Sequence, residues 1–241
     1  MRIAILSDIH GNLTAFEAVL ADLRETAPDL VMHGGDLADG GSRPAEVIDH
    51  IRALGWQGVM GNGDELLIRP ESLEEAARLS SAPLALWSAV REMAAFTRDS
   101  LGDERLSWLR ELPLVISLPG LAVVHASPET CWNAPVANAT NADLEQIYGS
   151  LDRAMVVFGH THLPAIRRMQ GSVKILINTG SVGLPFDGDP RASYLLLDND
   201  SPQIRLVAYD VEQEIAALAR SGLPSSEWVA RMLRSAAPQM P

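Results

Sequence analysis

The N-terminal half of the chain repeats one pattern, in which a short apolar segment precedes a polar, glycine-rich loop and an amphipathic helix. Residues 3–6 precede the loop 7–12, residues 30–32 precede 33–36, and residues 58–60 precede 61–64. Strands that alternate with helices in this order pair in parallel. The three polar loops are therefore expected at the carboxyl edge of one sheet, where such folds place their functional sites.

The length and apolar content of the chain allow one domain that carries an insertion. The chain has 241 residues, and 47% of them are hydrophobic, which is enough for a well-buried core. We assign residues 1–210 to the main domain. Residues 211–241 are expected to form a helical tail, in two short helices separated at 222–224, that packs on the domain or makes a homodimer contact.

Residues 65–112 interrupt the strand–helix rhythm. Trp87, Val90, Met93 and Ala94 recur at helical spacing, and Asp103 begins a second short helix. This helical segment is either a lid over the site or ordinary packing.

The second half of the chain is predicted to consist mainly of strands. Pro119 and Gly120 form the turn of a hairpin between the first two of them. Antiparallel strands in this half predict a second sheet. The predicted strands are 114–118, 121–125, 155–158, 165–169, 173–177, 194–197 and 204–208.

Charge and cysteine content exclude several kinds of partner. The net charge of -12 disfavours an extended nucleic-acid surface or an anionic membrane surface, since both require clustered Lys and Arg. A small phosphorylated substrate held by metal ions is still allowed. Cys131 is the only cysteine, and Asp8 ends the first apolar segment too early for a signal peptide. We therefore expect a cytoplasmic protein that does not enter membranes.

Side chains that can bind metal ions follow the predicted strands. Asp8 and His10 follow the first strand, at a spacing that lets a carboxylate and an imidazole reach the same ion. Asp36 follows two glycines, which let the backbone turn sharply after the second strand. The seven candidate metal ligands are Asp8, His10, Asp36, Asn62, His125, His160 and His162.

This mixed set of nitrogen and oxygen donors suits Mn, Fe, Co, Ni or Zn better than Ca or Mg. Seven side chains exceed the coordination need of one ion, so the sequence predicts two divalent metal ions that share one carboxylate. A single histidine at a strand end is usually inert, but four of the six histidines lie at strand ends beside Gly or acidic residues. His50 is expected to be structural, and so is His33, for which a contact with the metal ligands is left open.

These motifs resemble the signature of calcineurin-like metallophosphoesterases, most closely the small bacterial and archaeal phosphodiesterase branch. The resemblance extends from residue 1 to about residue 210. It rests on Asp8-Ile9-His10, Gly35-Asp36-Leu37-Ala38-Asp39, Gly61-Asn62-Gly63-Asp64, Val124-His125, Gly159-His160-Thr161-His162, Asn178-Thr179-Gly180-Ser181-Val182-Gly183 and Asp187-Gly188-Asp189-Pro190-Arg191-Ala192.

The resemblance implies an α/β fold, a four-layer αββα sandwich with a helical insertion. It also implies that one metal ion is held by Asp8, His10, Asp36 and His162, and the other by Asp36, Asn62, His125 and His160. Asp36 would bridge the two ions, and Asp39 would orient the ligands or a neighbouring loop. The residues expected to act in catalysis are Asp36, Asn62, His125 and Asp39.

The implied activity is metal-dependent hydrolysis of phosphoric esters, most of all phosphodiesters. Two adjacent cations lower the pKa of a shared water, so a bridging hydroxide is the expected nucleophile. The same cations would stabilise the charge that develops on the phosphoryl oxygens.

Gly63 departs from the family pattern. Many relatives have His between Asn62 and Asp64, and that side chain is thought to protonate the leaving oxygen. Glycine cannot do so, and Asp64 is a supporting residue in the pattern. We therefore expect a preference for phosphodiesters with good leaving groups.

Other functions stay open beside this one. The nearest alternative is a nucleotide pyrophosphohydrolase, because a phosphate leaving group needs little protonation. A phosphomonoesterase and a non-enzymatic scaffold of the same fold are further alternatives, although the complete ligand set disfavours the scaffold. Arg69 and Arg191 either bind substrate or form surface ion pairs, and Asn12 either faces the site or caps a helix.

Overall fold

Two five-stranded sheets lie between layers of helices in the computed structural model, which describes residues 1–241. The strands are β1 (Arg2–Leu6), β2 (Leu30–His33), β3 (Gln57–Gly58), β4 (Val115–Leu118), β5 (Leu121–Val124), β6 (Met155–Phe158), β7 (Ala165–Arg168), β8 (Ile175–Asn178), β9 (Ala192–Asp198) and β10 (Ser201–Val207). The helices are α1 (Leu13–Thr26), α2 (Pro44–Leu54), α3 (Asn62–Ile68), α4 (Glu71–Leu79), α5 (Leu84–Arg110), α6 (Asn141–Tyr148), α7 (Val211–Ser221) and α8 (Ser226–Ser235), and a 3₁₀ turn follows α6 at Gly149–Leu151.

The first sheet has the strand order β10-β9-β1-β2-β3. Strands β1, β2 and β3 are parallel, as the repeated pattern predicts. Strands β9 and β10 extend this sheet in antiparallel orientation. Placing residues 194–197 and 204–208 among the strands of a separate second sheet is therefore wrong, because β9 pairs along the open edge of β1.

The second sheet has the strand order β4-β5-β6-β8-β7. The predicted β4–β5 hairpin is present, and β7 pairs antiparallel with β8. The inner pairs β5–β6 and β6–β8 are parallel, so the second sheet contains parallel strands beside the predicted antiparallel ones. Parallel pairing brings the carboxyl ends of β5 and β6 to one edge.

An apolar core fills the space between the sheets. Ile3 and Ile5 of β1 contact a cluster that includes Val123, Val157 and Ile177 of the second sheet. These side chains alternate with residues that face the outer helices, as strands covered on both faces require. The two sheets are thereby held face to face, with their carboxyl edges together.

Helices cover both outer faces. Phe16 of α1, Ile48 of α2 and Leu106 of α5 pack on the first sheet, and Tyr148 of α6 packs on the second. The four-layer αββα sandwich with a helical insertion is confirmed. Helix α6 was not predicted, and its N-terminal signal is the capping box between Thr140 and Asp143.

The helical segment that interrupts the strand–helix rhythm consists of α3, α4 and α5. Gly102 breaks α5 with a φ of 71°, directly before the helix start predicted at Asp103. Leu101, Leu106 and Leu109 are buried on the first sheet. The C-terminal part of this segment is therefore core, whereas its N-terminal part lines the cleft described below.

Helices α7 and α8 pack on the molecule through the apolar stripe noted in the sequence. Trp228 and Met232 of α8 are buried with Met93 of α5 and Leu184. No helix combines the length and apolarity needed to cross a bilayer.

Candidate metal centre

The seven predicted metal ligands converge at the carboxyl edges of the two sheets. The first sheet supplies four of them, after β1, β2 and β3, and the second sheet supplies three, after β5 and β6. Because both edges lie together, residues as far apart in sequence as Asp8 and His162 contact one another. The residues brought together are Asp8, His10, Asp36, Asn62, His125, His160 and His162.

One group of donor atoms joins Asp8, His10 and His162. The Nε2 atoms of His10 and His162 are 3.2 Å apart. Asp8 Oδ1 lies 3.2 Å from His162 Nε2 and 3.9 Å from His10 Nε2. Three donor atoms thus face one point.

A second group joins Asn62, His125 and His160. Asn62 Oδ1 is 2.9 Å from His125 Nε2 and 2.6 Å from His160 Nδ1. The two imidazole nitrogens are 3.3 Å apart.

Asp36 lies between these two groups. Its Oδ2 is 3.7 Å from His10 Nε2 and 3.5 Å from His125 Nε2. Its Oδ1 accepts a hydrogen bond of 2.7 Å from the backbone N–H of Gly63. Asp8 and Asp36 also form a compact triad with His125, so both carboxylates are within reach of neighbouring sites.

Backbone carbonyls fix the orientation of three imidazoles. His10 Nδ1 donates to the Asp39 carbonyl at 2.7 Å, and His125 Nδ1 donates to the Gly34 carbonyl at 2.7 Å. His162 Nδ1 donates to the Leu184 carbonyl at 2.5 Å. Because Nδ1 of each ring is hydrogen-bonded to a carbonyl, Nε2 is directed to the centre, which is the orientation in which a deprotonated Nε2 binds a metal.

The buried carboxylates of the centre form no ion pair with Lys or Arg. Asp8, Asp36, Asp39 and Asp64 are all buried, and neither Lys nor Arg is bonded to any of them. Burial opposes protonation of His125, but the adjacent Asp36 carboxylate raises its pKa to about 10. Burial and the nearby His125 lower the pKa of His160 to about 4. A cluster of buried carboxylates that attracts positive charge and is lined by imidazole nitrogens fits bound cations.

The backbone is strained at five of the seven ligands. Left-handed φ values are rare for residues other than Gly and persist where the surrounding structure enforces them. The residues concerned are Asp8 (57°), His10 (51°), Asp36 (54°), His160 (63°) and His162 (58°).

Close packing around the loops explains two glycines of the motifs. A side chain on Gly61 would overlap the Asp36 carboxylate, and one on Gly159 would overlap Ser7 and Asp8. The metal-binding loops can approach each other only because these positions lack a side chain.

Two further groups connect the loops. Asp64 accepts hydrogen bonds from the backbone N–H groups of Asp36, Leu37 and Gly61. Ser181 donates its hydroxyl to the Asp8 carbonyl. Asp64 is thus occupied by backbone donors, in agreement with its expected supporting position.

Asp39 lies beside the ligands, and its carboxylate lines the cleft. Burial and repulsion from Asp36 and Asp64 raise its pKa to about 7. Its backbone carbonyl, and not its carboxylate, orients His10.

The other residues singled out in the sequence lie elsewhere. His33 is buried against Gly58, without a hydrogen-bond partner, and His50 is exposed on α2. Asn12 caps α1 by accepting the Ala15 N–H. Arg191 forms an exposed ion pair with Asp189 and does not line the cleft.

A cleft of about 700 Å³ opens from the metal centre. Arg69 lines it, bound to Glu65 and Glu75. Trp132 donates its indole N–H to Glu65 at 2.5 Å and also lines the cleft. Sequence reasoning did not identify Glu65, Glu75 or Trp132, because nothing local to them signals that α3, α4 and the loop after β5 meet.

Comparisons with known proteins agree with this geometry. The model of the calcineurin-like phosphoesterase superfamily domain matches residues 1–201. The uncharacterized protein MJ0912 of Methanocaldococcus jannaschii is 30% identical over 96% of both chains. Phosphodiesterase YfcE of Escherichia coli K12 is 26% identical over 91% of this chain and 98% of its own length.

A solved structure covers nearly the whole chain. The crystal structure of a metallophosphoesterase from Sphaerobacter thermophilus has 30% sequence identity and a TM-score of 0.80, and the match covers 98% of this chain and 100% of that one. The chain belongs to the calcineurin-like phosphoesterase superfamily, and it is a phosphoesterase.

Proposed function

We propose that this protein hydrolyses phosphodiesters with two divalent cations held by the seven converging side chains. The observation that carries the proposal is the complete donor set, in which imidazole nitrogens within 3.2–3.3 Å of each other point inward. The relationship to a protein named phosphodiesterase, at 26% identity, supports the substrate class.

The proposed division of the ligands follows the one that the family pattern implies. Asp8, His10 and His162 would hold one ion, and Asn62, His125 and His160 the other, with Asp36 shared because Oδ2 lies within 3.7 Å of a histidine from each group. Bound there, the cations supply Lewis-acid activation of water and of phosphoryl oxygens. The mixed donors favour Mn, Fe, Zn, Co or Ni.

Backbone groups of the chain orient the side chains proposed as metal ligands. The carbonyls of Gly34, Asp39 and Leu184 keep each imidazole in its ligand tautomer. The Gly63 N–H fixes Oδ1 of Asp36, so that Oδ2 is directed to the centre. Preorganised ligands of this kind reduce the rearrangement needed when substrate binds.

Gly63 leaves the leaving group without an imidazole proton donor. Substrates whose leaving groups depart as stable anions are therefore favoured, which includes aryl phosphodiesters. The same reasoning supports a nucleotide pyrophosphohydrolase as the alternative activity, and ordinary alkyl monoesters are the least suited substrates.

The test is a series of aryl methyl phosphodiesters with phenols of graded acidity, assayed with metal-loaded protein. We expect log(kcat/KM) to fall steeply as the leaving-group pKa rises. Gly63→His should flatten the slope and accelerate the poorest leaving group by about 10²-fold.

Gly63→Ala is the matched control, because a Cβ at this position would lie 3.2 Å from Asp36 Oδ1 and crowd it without adding a proton donor. This variant should keep the steep slope. A flat dependence in the parent enzyme would contradict the proposal.

A further inference from the structure

The cleft beyond the metal centre has an apolar wall formed by Leu73, Ala76, Leu79, Trp87, Val90 and Trp132. Helices α4 and α5 supply five of these side chains, and the loop after β5 supplies Trp132. Leu79 is 86% exposed at the rim of the wall. When a ligand covers a large apolar side chain that is exposed beside a binding site, the burial makes the free energy of binding more favourable.

The cleft offers no free positive side chain. Arg69 is its only Lys or Arg residue. Its Nε and Nη2 donate to Glu65 Oε1, and its Nη1 donates to both carboxylate oxygens of Glu75. With all three nitrogens engaged, the guanidinium is matched by two carboxylates and is not available to a phosphate.

These two observations constrain what extends from the metal centre into the cleft. A phosphate bound outside the metal centre would face Glu65 and Glu75 without a free cation, which disfavours polyphosphate chains. An uncharged aromatic group would instead contact Trp87, Trp132 and Leu79, which favours its burial.

We propose that this cleft selects phosphodiesters whose non-leaving substituent is aromatic or bulky and apolar, and discriminates against nucleoside polyphosphates. The proposal rests on the proposed function, since it names the substrate class of the same site. It places the non-leaving substituent against the apolar wall and the phosphoryl group at the metal centre.

The first measurement keeps 4-nitrophenol as the leaving group and changes only the other substituent. We expect kcat/KM to rise about tenfold from the methyl to the 1-naphthyl diester, and to be lower for diadenosine tetraphosphate than for either. Equal values for methyl and naphthyl diesters, or a preference for the tetraphosphate, would overturn the proposal.

The second measurement uses a matched pair of leucines. Leu79 and Leu84 are both 86% exposed and flank the same loop, but only Leu79 lines the cleft. Leu79→Ser should reduce the naphthyl-over-methyl preference severalfold, whereas Leu84→Ser should leave it unchanged. Equal effects of the two substitutions would show that the wall does not contact substrate.

A binding readout separates this proposal from the proposed function. 1-Naphthyl methylphosphonate lacks the nitrophenyl leaving group, and its binding to metal-loaded protein can be followed by isothermal titration calorimetry. Absence of all diester hydrolysis would refute the function. Binding of the naphthyl probe at least severalfold tighter than dimethyl phosphate, weakened by Leu79→Ser only, would still support the cleft assignment, and equal binding would refute it.

A charge variant tests the second half of the proposal. Glu75→Gln removes one partner of Arg69 and should increase the affinity for adenosine tetraphosphate severalfold. Glu74→Gln is the control, since Glu74 faces Arg91 at 3.9 Å and does not line the cleft. No gain with Glu75→Gln, or the same gain with Glu74→Gln, would contradict the role given to the Arg69 ion pairs.

Discussion

Three imidazoles of the metal centre are oriented by backbone carbonyls, at Gly34, Asp39 and Leu184. A carbonyl cannot be removed by a side-chain substitution, so the orientation of His10, for example, depends on the path of the loop that contains Asp39. That path includes Asp36, whose left-handed φ of 54° costs about 1–3 kcal/mol unless the surroundings enforce it. The packing around these loops therefore contributes directly to ligand placement.

His33 gives a pH-dependent stability that can be measured. Burial lowers its pKa to about 3, against about 6.5 in an unfolded chain. Above pH 6.5 both states are neutral at this residue. As the pH falls from 6.5 towards 3, only the unfolded state gains the proton, so the free energy of unfolding falls by about 1.4 kcal/mol per pH unit.

We therefore expect His33→Phe to lose less stability than the parent between pH 7.5 and 5.5, by about 1 kcal/mol in urea unfolding. His50→Phe is the control, because His50 is exposed on α2. An identical pH dependence in parent and His33→Phe would contradict this account of His33.

At the same scale, the sequence predicted candidate metal ligands but not the contacts that orient them. Asp8, Asp36 and Asn62 could be proposed because each follows an apolar segment, and Asp36 and Asn62 also adjoin glycine. The supporting contacts could not be predicted, since the partner of His162 is a carbonyl 22 positions away and that of His125 is 91 positions away. No side-chain type marks a residue whose function is performed by its carbonyl.

At the scale of elements, helix α7 contacts both α1 and the loop between β2 and α2. Glu214 is fully buried in α7. It accepts hydrogen bonds from the Thr14 hydroxyl at 2.7 Å and from the Ser42 N–H at 3.3 Å. The loop at Ser42 continues from Asp39, so α7 supports the same loop that orients His10.

Removing this contact should destabilise the protein. Glu214→Ala leaves buried donors on Thr14 and Ser42, so we expect a loss of about 1–3 kcal/mol in the free energy of unfolding. Glu212→Ala, on the same helix, removes only an exposed ion pair with Arg234 and should change stability much less than Glu214→Ala. If urea denaturation gave the same loss of unfolding free energy for both variants, the stabilising role assigned to Glu214 would be wrong.

The elements differ in how far the sequence predicted them. Strands β1 and β2 and helices α1 and α2 were predicted because apolar periodicity changes clearly at their glycine-rich loops. The sheet to which β9 belongs was not predicted, because the alternation of apolar residues indicates a strand but not the strand that it pairs with. Helix α6 buries only Leu144 and Tyr148, which is too short an apolar pattern to separate from a loop.

At the scale of the molecule, the metal centre joins the two sheets. Asp8, His10, Asp36 and Asn62 come from the first sheet, and His125, His160 and His162 from the second. Cations that bind both sets would stabilise the folded state, since the unfolded chain does not hold these groups together. We expect removal of metal with a chelator to lower Tm, and restoration of Mn²⁺ or Zn²⁺ to reverse the change, in thermal unfolding followed by circular dichroism. An unchanged Tm would argue against a metal site across the sheets.

The central claim is that the seven side chains hold two ions that share Asp36. It is tested most directly by the metal content of reconstituted and dialysed protein, measured by mass spectrometry for the parent and for Asp36→Asn, which keeps an acceptor for the Gly63 N–H. Asp189→Asn, which removes the charge of Asp189 from its exposed ion pair with Arg191, is the control. We predict two ions per chain in the parent and the control. The Asp36→Asn variant should lose at least one ion and should also lose diester hydrolysis. One ion or none in the parent, or two retained in Asp36→Asn, would contradict the shared site.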